Sequence, residues 1–461
     1  MSEGWGTLPL LPLRCVLDHL SLEDALAALS TCRHWRSSIL LYEGHKDTLK
    51  LRVKHLEKNL FVTRLFRKYA RKLHVYIDNC GEDLENFMNF VLPQFFDTQK
   101  LQELVFIGPS YIQNQHAPVA KINRIITESL IFKNAHCLQK LILLGCEMST
   151  VKNENDRYLH KNVEYYSRPL SFNTVSSQAD AVLSSTNAGL MMFSTLQHII
   201  FDFDLMSTST LETLSQFSQI TQLSLNIGSR RPAALPSVDW RNVSRGLQVA
   251  LNIISVSHNT LEEIIDVVLV EGMPLVSLKV MFCKTLHAGV LQQVVRHHKA
   301  SLRELVWADA PHDAADVFHR QVDQQLSEEF AMCNVNPLIL LCWQCSQLQR
   351  LVIHGYWVWQ YDLIGFVRLR RSLGALDVSA VYARARGAGG GVARVLARDA
   401  QRAPDQDLVR QVNMYTEFKW SPVPWQCLHA ALRARAAPAQ RADYVLRELM
   451  RAPPAPKPHP S

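Results

Sequence analysis

The sequence of 461 residues contains no run of eighteen apolar residues, and its N-terminus lacks a basic segment leading into an apolar stretch. The first absence argues against a membrane-spanning helix and the second against a secretory signal peptide. The ten cysteines are scattered, mostly within apolar runs, as is typical of buried thiols in a reducing compartment. The sequence therefore predicts an intracellular protein, cytoplasmic or nuclear or both, without a membrane partner.

Motifs of common enzyme and cofactor sites are also missing. The sequence has no Gly-x-Ser-x-Gly elbow, Walker loop or Gly-x-Gly-x-x-Gly fingerprint. Cys342 and Cys345 have the Cys-x-x-Cys spacing of a zinc site, but no second pair follows, so packing in a core is favoured. The pair His297 and His298 lacks an evident third ligand. We therefore predict no catalytic residue, no metal and no cofactor.

The net charge is small for the length of the chain. The 49 Lys and Arg residues and 42 Asp and Glu residues leave a formal charge of +7. The basic residues are not interleaved with stacking aromatics, as single-strand binders require. A nucleic-acid partner is therefore not favoured, because it would rest on charge alone.

Residues 8–42 contain three short apolar helical patterns, each too short to be stable alone. The helices must therefore pack against one another or against a partner. The order of residues in this stretch resembles the F-box family, in which Leu-Pro is followed by an aliphatic residue, a Leu, an Asp and a Cys-x-x-Trp. The residues that match this order are Leu8, Pro9, Val16, Leu20, Asp24, Cys32 and Trp35.

The resemblance implies a function in ubiquitination. An F-box protein binds the Skp adaptor, and through it the cullin and RING subunits of a ubiquitin ligase, so that a protein substrate is ubiquitinated and degraded by the proteasome. Such a chain is a non-catalytic adaptor. The family positions that face the Skp adaptor correspond to Leu8, Pro9, Val16, Leu20, Leu29, Cys32 and Trp35.

A motif of the form Leu-x-x-Leu-x-Leu, in which other apolar residues can replace Leu, recurs beyond residue 71. Its first positions are Leu101, Leu138, Leu196, Ile220, Leu275, Leu302, Leu348 and Leu373. The starts at 196 and 220, 275 and 302, and 348 and 373 are 24, 27 and 25 residues apart. These spacings match leucine-rich repeats, and the longer intervals elsewhere predict an irregular array with insertions.

Helix-period segments lie between these motifs, at residues 121–134 and 286–298. One strand and one helix per repeat predict an α/β fold, in which the N-terminal helical F-box is followed by an irregular leucine-rich-repeat solenoid with parallel strands. A doubly wound sheet would instead show near-continuous apolar strands and a glycine-rich phosphate turn, and the sequence has neither.

The sequence suggests four regions. The F-box spans residues 5–45, and a basic linker helix spans residues 46–70. The solenoid spans residues 71–382 and contains a polar, flexible insertion at 150–190. Residues 383–461 are rich in Ala, Arg and Pro, so we expect a low-complexity, mostly disordered C-terminal region with a short ordered piece near 412–433.

Side chains alternate along a strand, so the residues between the motif leucines should point to the concave face of the solenoid. We expect a protein substrate with an acidic or polar segment to bind late in the array. The predicted substrate-binding residues are Lys279, Glu304, Arg350, Val352, His354, Tyr356, Trp357 and Trp359. For the aromatics, packing in the core at the end of the solenoid is favoured over contact with a partner. The substrate could alternatively be captured through the 150–190 insertion or the C-terminal tail.

Two classes of function therefore remain open. The first is the ligase adaptor described above, which places substrate lysines near a conjugating enzyme by tethering. The second is a leucine-rich-repeat scaffold without a ligase role, whose N-terminal helices only cap the repeats.

Overall fold

The structure is a computed structural model, and its secondary structure is described for most but not all of the chain. The described residues are 4–20, 22–42, 47–112, 118–149, 193–206, 208–215, 217–228, 235, 237–241, 243, 246–284, 286–310, 336–383, 394–397, 404–433 and 438–456. The predicted insertion at 150–190 lies outside these residues. No helix among them is both long and apolar enough to cross a membrane.

Most strands of the described residues belong to one sheet. The strands in chain order are β1 (Thr48–Arg52), β2 (Lys72–Tyr76), β3 (Glu103–Ile107), β4 (Ala120–Asn123), β5 (Lys140–Leu144), β6 (Cys146–Ser149), β7 (His198–Asp202), β8 (Gln222–Ile227), β9 (Gln248–Ile254), β10 (Leu275–Met281), β11 (Glu304–Ala308), β12 (Arg350–His354), β13 (Val358–Trp359), β14 (Ala375–Val378), β15 (Val381–Ala383) and β16 (Arg394–Ala397). Eleven of them form a sheet in the order β1-β2-β3-β5-β7-β8-β9-β10-β11-β12-β14.

Helices connect these strands and also form the N- and C-terminal regions. The α-helices in chain order are α1 (Leu10–His19), α2 (Leu22–Ala28), α3 (Arg33–Leu41), α4 (Leu56–Phe66), α5 (Glu82–Asn86), α6 (Pro109–Ile112), α7 (Arg124–Lys133), α8 (Thr208–Ser215), α9 (His258–Val268), α10 (Ala288–His298), α11 (Pro337–Gln344), α12 (Gln360–Leu369), α13 (Gln406–Asn413), α14 (Ala430–Arg433) and α15 (Pro438–Met450).

Neighbouring strands of the large sheet are parallel and in register at the repeated leucines. Leu278 pairs with Leu305, and Leu305 pairs with Leu351. All three side chains are buried in one continuous core with the apolar faces of the repeat helices. The predicted architecture of a helical F-box followed by a parallel-strand repeat array is therefore confirmed.

The array is more regular than the motif spacing suggested. The 55-residue interval between the motifs at Ile220 and Leu275 contains β9, which pairs with β8 on one side and β10 on the other. This strand has alternating inward residues, Val249, Leu251 and Ile253, instead of the Leu-x-x-Leu spacing. The leucine motif does not predict this strand, because burial on one face of a sheet requires only that every second residue be apolar.

The region predicted as a linker also contributes to the array. The helix α4 lies within residues 46–70 as expected, but it is preceded by β1, which pairs in parallel with β2. Leu49 and Leu51 of β1 are buried in the main core. The sheet therefore begins within the predicted linker.

The C-terminal region differs most from expectation. We expected mostly disorder between 383 and 461, yet the structure forms α13, α14 and α15 there. In α15 the apolar residues Ala442, Val445, Leu446 and Leu449 are buried. Their spacing of three and four residues gives an apolar stripe that the Ala- and Arg-rich composition obscured. This helix can bury that stripe only because the sheet offers an apolar surface.

The sheet thus has two covered faces. The repeat helices pack on the first face. The opposite face, called the second face here, is the concave face of the predicted solenoid. It carries apolar residues such as Val105, Ile142 and Val306, which form a separate core with residues of 428–433 and 438–450. We call residues 428–433 and 438–456 together the C-terminal segment.

Candidate functional site

The F-box helices form a small core of their own. This core consists of five buried residues from the three helices and the turn between α2 and α3, namely Leu13, Leu17, Ala25, Leu29 and Ile39. Such a cluster is far smaller than that of the repeat array, so it offers less apolar burial to stabilise the unit.

Polar contacts fix the packing of α1 against α3. The ring Nε2 of His34 lies 2.7 Å from the backbone oxygen of Leu8, at the start of both helices. At the other end, the hydroxyl of Tyr42 donates to the carboxylate of Asp18. This hydrogen bond, followed by partial burial, raises the pKa of Tyr42 to about 12. The two helices are therefore held together at both ends.

The residues predicted to face the Skp adaptor are only partly accessible in the structure. Leu29 is buried, and Leu8, Leu20 and Trp35 are half-buried against the F-box core. Val16 and Cys32 are also half-buried, and Pro9 is exposed. The thiol of Cys32 accepts a hydrogen bond from the backbone N–H of Trp35 at 3.5 Å and so caps α3. Several of these positions thus shape the unit as well as its surface.

Among the residues of this unit whose burial the structure describes, four leucines outside the predicted adaptor-facing set are exposed. Leu11 and Leu41 are 74% and 71% exposed, and Leu10 and Leu40 are also exposed. These four side chains are therefore available for contact with a partner, because the core of the unit does not bury them. The sequence contained a signal for them, because Leu10-Leu11 and Leu40-Leu41 are adjacent pairs and one helix face cannot bury both members.

The predicted substrate residues lie on the second face, as expected from strand alternation, but they are not open to solvent. Lys279 is 2% exposed, Glu304 is fully buried, and Arg350, Val352 and His354 are also buried. Tyr356 and Trp357 are buried at the end of the array, and Trp359 is half-buried. Most of these residues are therefore covered in the described structure, and their role in substrate binding stays a prediction.

The C-terminal segment covers this face through a buried ionic network. Glu304 lies 3.4 Å from the Lys279 ammonium and also forms an ion pair with Arg350. The same guanidinium lies 3.3 Å from the carboxylate of Glu448 on α15. Lys279 further donates to the backbone oxygen of Glu448 and, at 3.3 Å, to that of Arg451. Two cations and two anions thus join the sheet to the segment.

The electrostatics of the network follow from burial and charge pairing. Burial by itself raises the pKa of Glu304, but Lys279, Arg350 and a hydrogen bond of 2.6 Å from the Ser277 hydroxyl outweigh it and hold that pKa below its usual range. Burial likewise opposes the charge of Arg350, and Glu448 and Glu304 outweigh it and raise the pKa of the guanidinium. The buried ion pair therefore remains ionised.

The segment continues along the same face beyond α15. Arg303 donates to the backbone oxygen of Pro454 at 3.2 Å, and Gln349 donates to that of Ala455 at 2.7 Å. These side chains precede β11 and β12, so the segment follows the start of the late strands. The local sequence around Arg303 and Gln349 does not indicate this role, because their partners lie 151 and 106 residues away along the chain.

The aromatics at the end of the array mostly fill the core. Gly355 has φ +82°, and a Cβ there would lie 2.4 Å from the backbone oxygen of Asp309, so only glycine fits this turn. The hydroxyl of Tyr356 donates to the carboxylate of Asp309 at 2.5 Å. Trp359 packs edge-on against Tyr361, which is exposed. Trp359 is thus the one member of the predicted aromatic set with substantial accessible surface.

The remaining sites predicted or excluded from sequence can be located as well. Burial raises the pKa of both Cys342 and Cys345, and both are buried in the main core as predicted. Within the described residues, one group of three side chains has the geometry of a metal site, namely His258, Glu262 and His287. No short sequence motif indicates this group, because His287 lies in the repeat after the one that holds His258 and Glu262.

Comparison with known proteins identifies the N-terminal unit. The F-box domain model matches residues 5–44. F-box only protein 33 from Homo sapiens is 51% identical over 47 residues, which is 10% of this chain and 8% of that protein. The protein of the same name from Mus musculus is 54% identical over 39 residues, or 8% of this chain and 7% of that protein. The matches thus cover less than a tenth of these relatives.

Among solved structures, an internalin from Listeria monocytogenes is similar to this chain at 12% sequence identity. The alignment covers 72% of this chain and 89% of the internalin, with a TM-score of 0.24.

Proposed function

Because residues 5–44 are an F-box domain, we propose that this chain is the substrate-recognition subunit of a Skp-cullin-F-box ubiquitin ligase. F-box proteins are typically non-catalytic adaptors, and the proposed contribution to rate is tethering of a substrate near the conjugating enzyme. The cullin and RING subunits would be reached through the Skp adaptor.

The observation that carries the proposal is the exposed apolar surface of the F-box. Leu10, Leu11, Leu40 and Leu41 remain exposed although the unit has a core of its own. Burial of one such leucine in an interface contributes about 1.5–3 kcal/mol. With Pro9 and the half-buried Leu8 and Trp35, they provide the apolar anchors that a stable interface needs.

The test is co-purification with the Skp adaptor. Combined replacement of Leu8, Pro9 and Trp35 by Ala should abolish binding, but Trp35 packs against the F-box core, so this variant also weakens the unit. The double variant Leu11→Ser, Leu41→Ser avoids that difficulty because both side chains are largely exposed. Phe61→Ser on α4 is the matched control, since Phe61 is exposed outside the F-box.

We expect the Leu11/Leu41 variant to lose adaptor binding by about 100-fold or more, and the Phe61 variant to bind normally. Binding that survives both the triple and the double variant would refute the ligase role. The scaffold without a ligase role would then be the better description.

The substrate is proposed to be a protein, and the covered second face restricts how it binds. A substrate reaches Lys279, Glu304 or Arg350 only if the C-terminal segment leaves the sheet. Charge reversal at Lys279 or Arg350 would break a buried network and so would not report on binding alone. We propose that the exposed Tyr361, together with Trp359, against whose ring it packs edge-on, makes the accessible part of the substrate contact.

A pull-down of substrates with a Tyr361→Ser variant, with adaptor binding as the folding control, tests this contact. Leu369→Ser on the same helix is the matched control, because Leu369 is also exposed. Loss of substrates only in the Tyr361 variant supports the contact, whereas equal capture by both variants contradicts it.

A further inference from the structure

Two adjacent repeats bring three potential metal ligands together on their helices. His258 is the first residue of α9, and Glu262 follows one turn later on the same helix. His287 directly precedes α10, the helix of the next repeat. Residues four apart lie on one helix face, so His258 and Glu262 both face the start of the neighbouring helix.

The donor atoms of the three side chains lie slightly farther apart than the ligands of a bound metal ion would. One donor atom from each of His258, Glu262 and His287 lies within 4.8 Å of the other two. The two imidazole rings are in contact, with centroids 4.5 Å apart and an angle of 38° between their planes. In a tetrahedral zinc site with bonds of about 2.0–2.1 Å, neighbouring donor atoms are about 3.4 Å apart. Small side-chain rotations would therefore suffice.

The surrounding residues fix the position of the His287 side chain. The residue is 4% exposed, and its ring lies against Gly289. A Cβ at position 289 would lie 3.0 Å from Cε1 and 3.2 Å from Nδ1 of that ring. Glycine thus leaves the space that the imidazole occupies.

Contacts nearer the C-terminal ends of α9 and α10 also fix the spacing between these two helices. The Gln293 side chain on α10 donates to the carboxylate of Asp266 on α9 at 2.6 Å. Leu261, Ile265, Val290 and Leu291 of the same helices are buried in the main core. A ligand set supported by such packing is preorganised, and binding therefore requires little ordering.

We propose that His258, Glu262 and His287 bind a divalent transition-metal ion of the zinc class. Two imidazole nitrogens and one carboxylate oxygen suit zinc and its neighbours, whereas calcium and magnesium prefer oxygen ligands alone. Glu262 is exposed, so the fourth coordination position faces solvent and takes water. The ion links the helices of two neighbouring repeats, and it stabilises the folded chain because the unfolded chain does not hold the ligands together.

The experiment uses the purified full-length chain after treatment with a chelator. Zinc is titrated by calorimetry in the presence of a weak competing chelator, and cobalt is used as a spectroscopic probe of tetrahedral coordination. Thermal unfolding is followed with and without zinc. The variants are His258→Ala and Glu262→Gln, chosen because neither side chain is fully buried. Glu263→Gln is the matched control, since Glu263 is the next residue on the helix and is also exposed.

We expect one zinc ion per chain and a zinc-dependent rise in the unfolding temperature. Glu262→Gln should weaken binding by about tenfold or more and His258→Ala should weaken it further, with Glu263→Gln unchanged. No zinc-dependent stabilisation of the unmodified chain would overturn the proposal. Zinc binding that persists unchanged in both ligand variants would place the ion elsewhere and would also overturn it.

Discussion

The F-box and the repeat array differ in how much of their apolar surface is buried within the chain. The F-box buries five residues in its own core and leaves four leucines exposed. The repeat array covers both faces of its sheet, one with the repeat helices and the other with the C-terminal segment. A unit with an exposed apolar surface is suited to a partner, whereas a sheet that is covered on both faces along its inner strands has little apolar surface left to offer. Leu26 packs against both cores and connects the two regions.

From this comparison we predict that the array unfolds when a charged residue replaces one of the leucines repeated in its core. Leu278→Asp places a carboxylate where Leu278 pairs with Leu305, between parallel strands and without a cation. An unpaired buried charge costs more than most domains have in stability, so we expect complete loss of the cooperative thermal transition. Phe61→Asp, at an exposed position, serves as the control and should unfold normally. An unchanged transition in Leu278→Asp would contradict the solenoid core.

A smaller effect should follow when the covered second face loses one charge. Glu304→Ala leaves Lys279 and Arg350 with only Glu448 as a buried partner. Removal of one partner from a buried pair costs about 3–5 kcal/mol, which denaturant unfolding at neutral pH would measure. The exposed Glu263→Ala should change the free energy of unfolding by less than about 0.5 kcal/mol. Equal effects of the two changes would mean that the network is solvated.

In the F-box, a core truncation should have a local effect. Leu17→Ala removes a fully buried side chain of α1 and should destabilise this unit by about 3 kcal/mol. Because the main core does not include Leu17, amide hydrogen exchange should accelerate in α1 and α3 and stay unchanged in β10 and β11. Uniform acceleration throughout the chain would show that the two regions unfold as one unit.

The smallest predicted effect is a pH dependence of the array. Burial lowers the pKa of His198 to about 3 and that of His354 to about 4. The unfolded chain takes up protons near pH 6.5 and the folded chain does not, so stability is full above pH 6.5 and falls as the pH decreases toward about 4. His354→Gln should reduce the slope of the free energy of unfolding between pH 6 and pH 4. A slope that does not change would contradict a buried neutral imidazole.

Sequence reasoning was most successful where a local pattern repeats. The spacing of 27 residues between Leu278 and Leu305 predicted two neighbouring parallel strands, and these residues pair directly. The period of two also placed Lys279 and Arg350 on the face opposite the leucines. This period could not predict whether Lys279 and Arg350 are exposed, because α15 covers them from far along the chain. Glu448 of that helix follows Lys279 by 169 residues.

The sequence by itself therefore determined the F-box and the direction of each repeated side chain, since both depend on residues a few positions apart. Only the tertiary structure decided which surfaces remain available. It placed α15 on the second face, brought His287 to His258 and Glu262, and left Leu11 and Leu41 exposed. These outcomes depend on which distant segments meet, and burial of apolar area favours any complementary partner without specifying it in the local pattern.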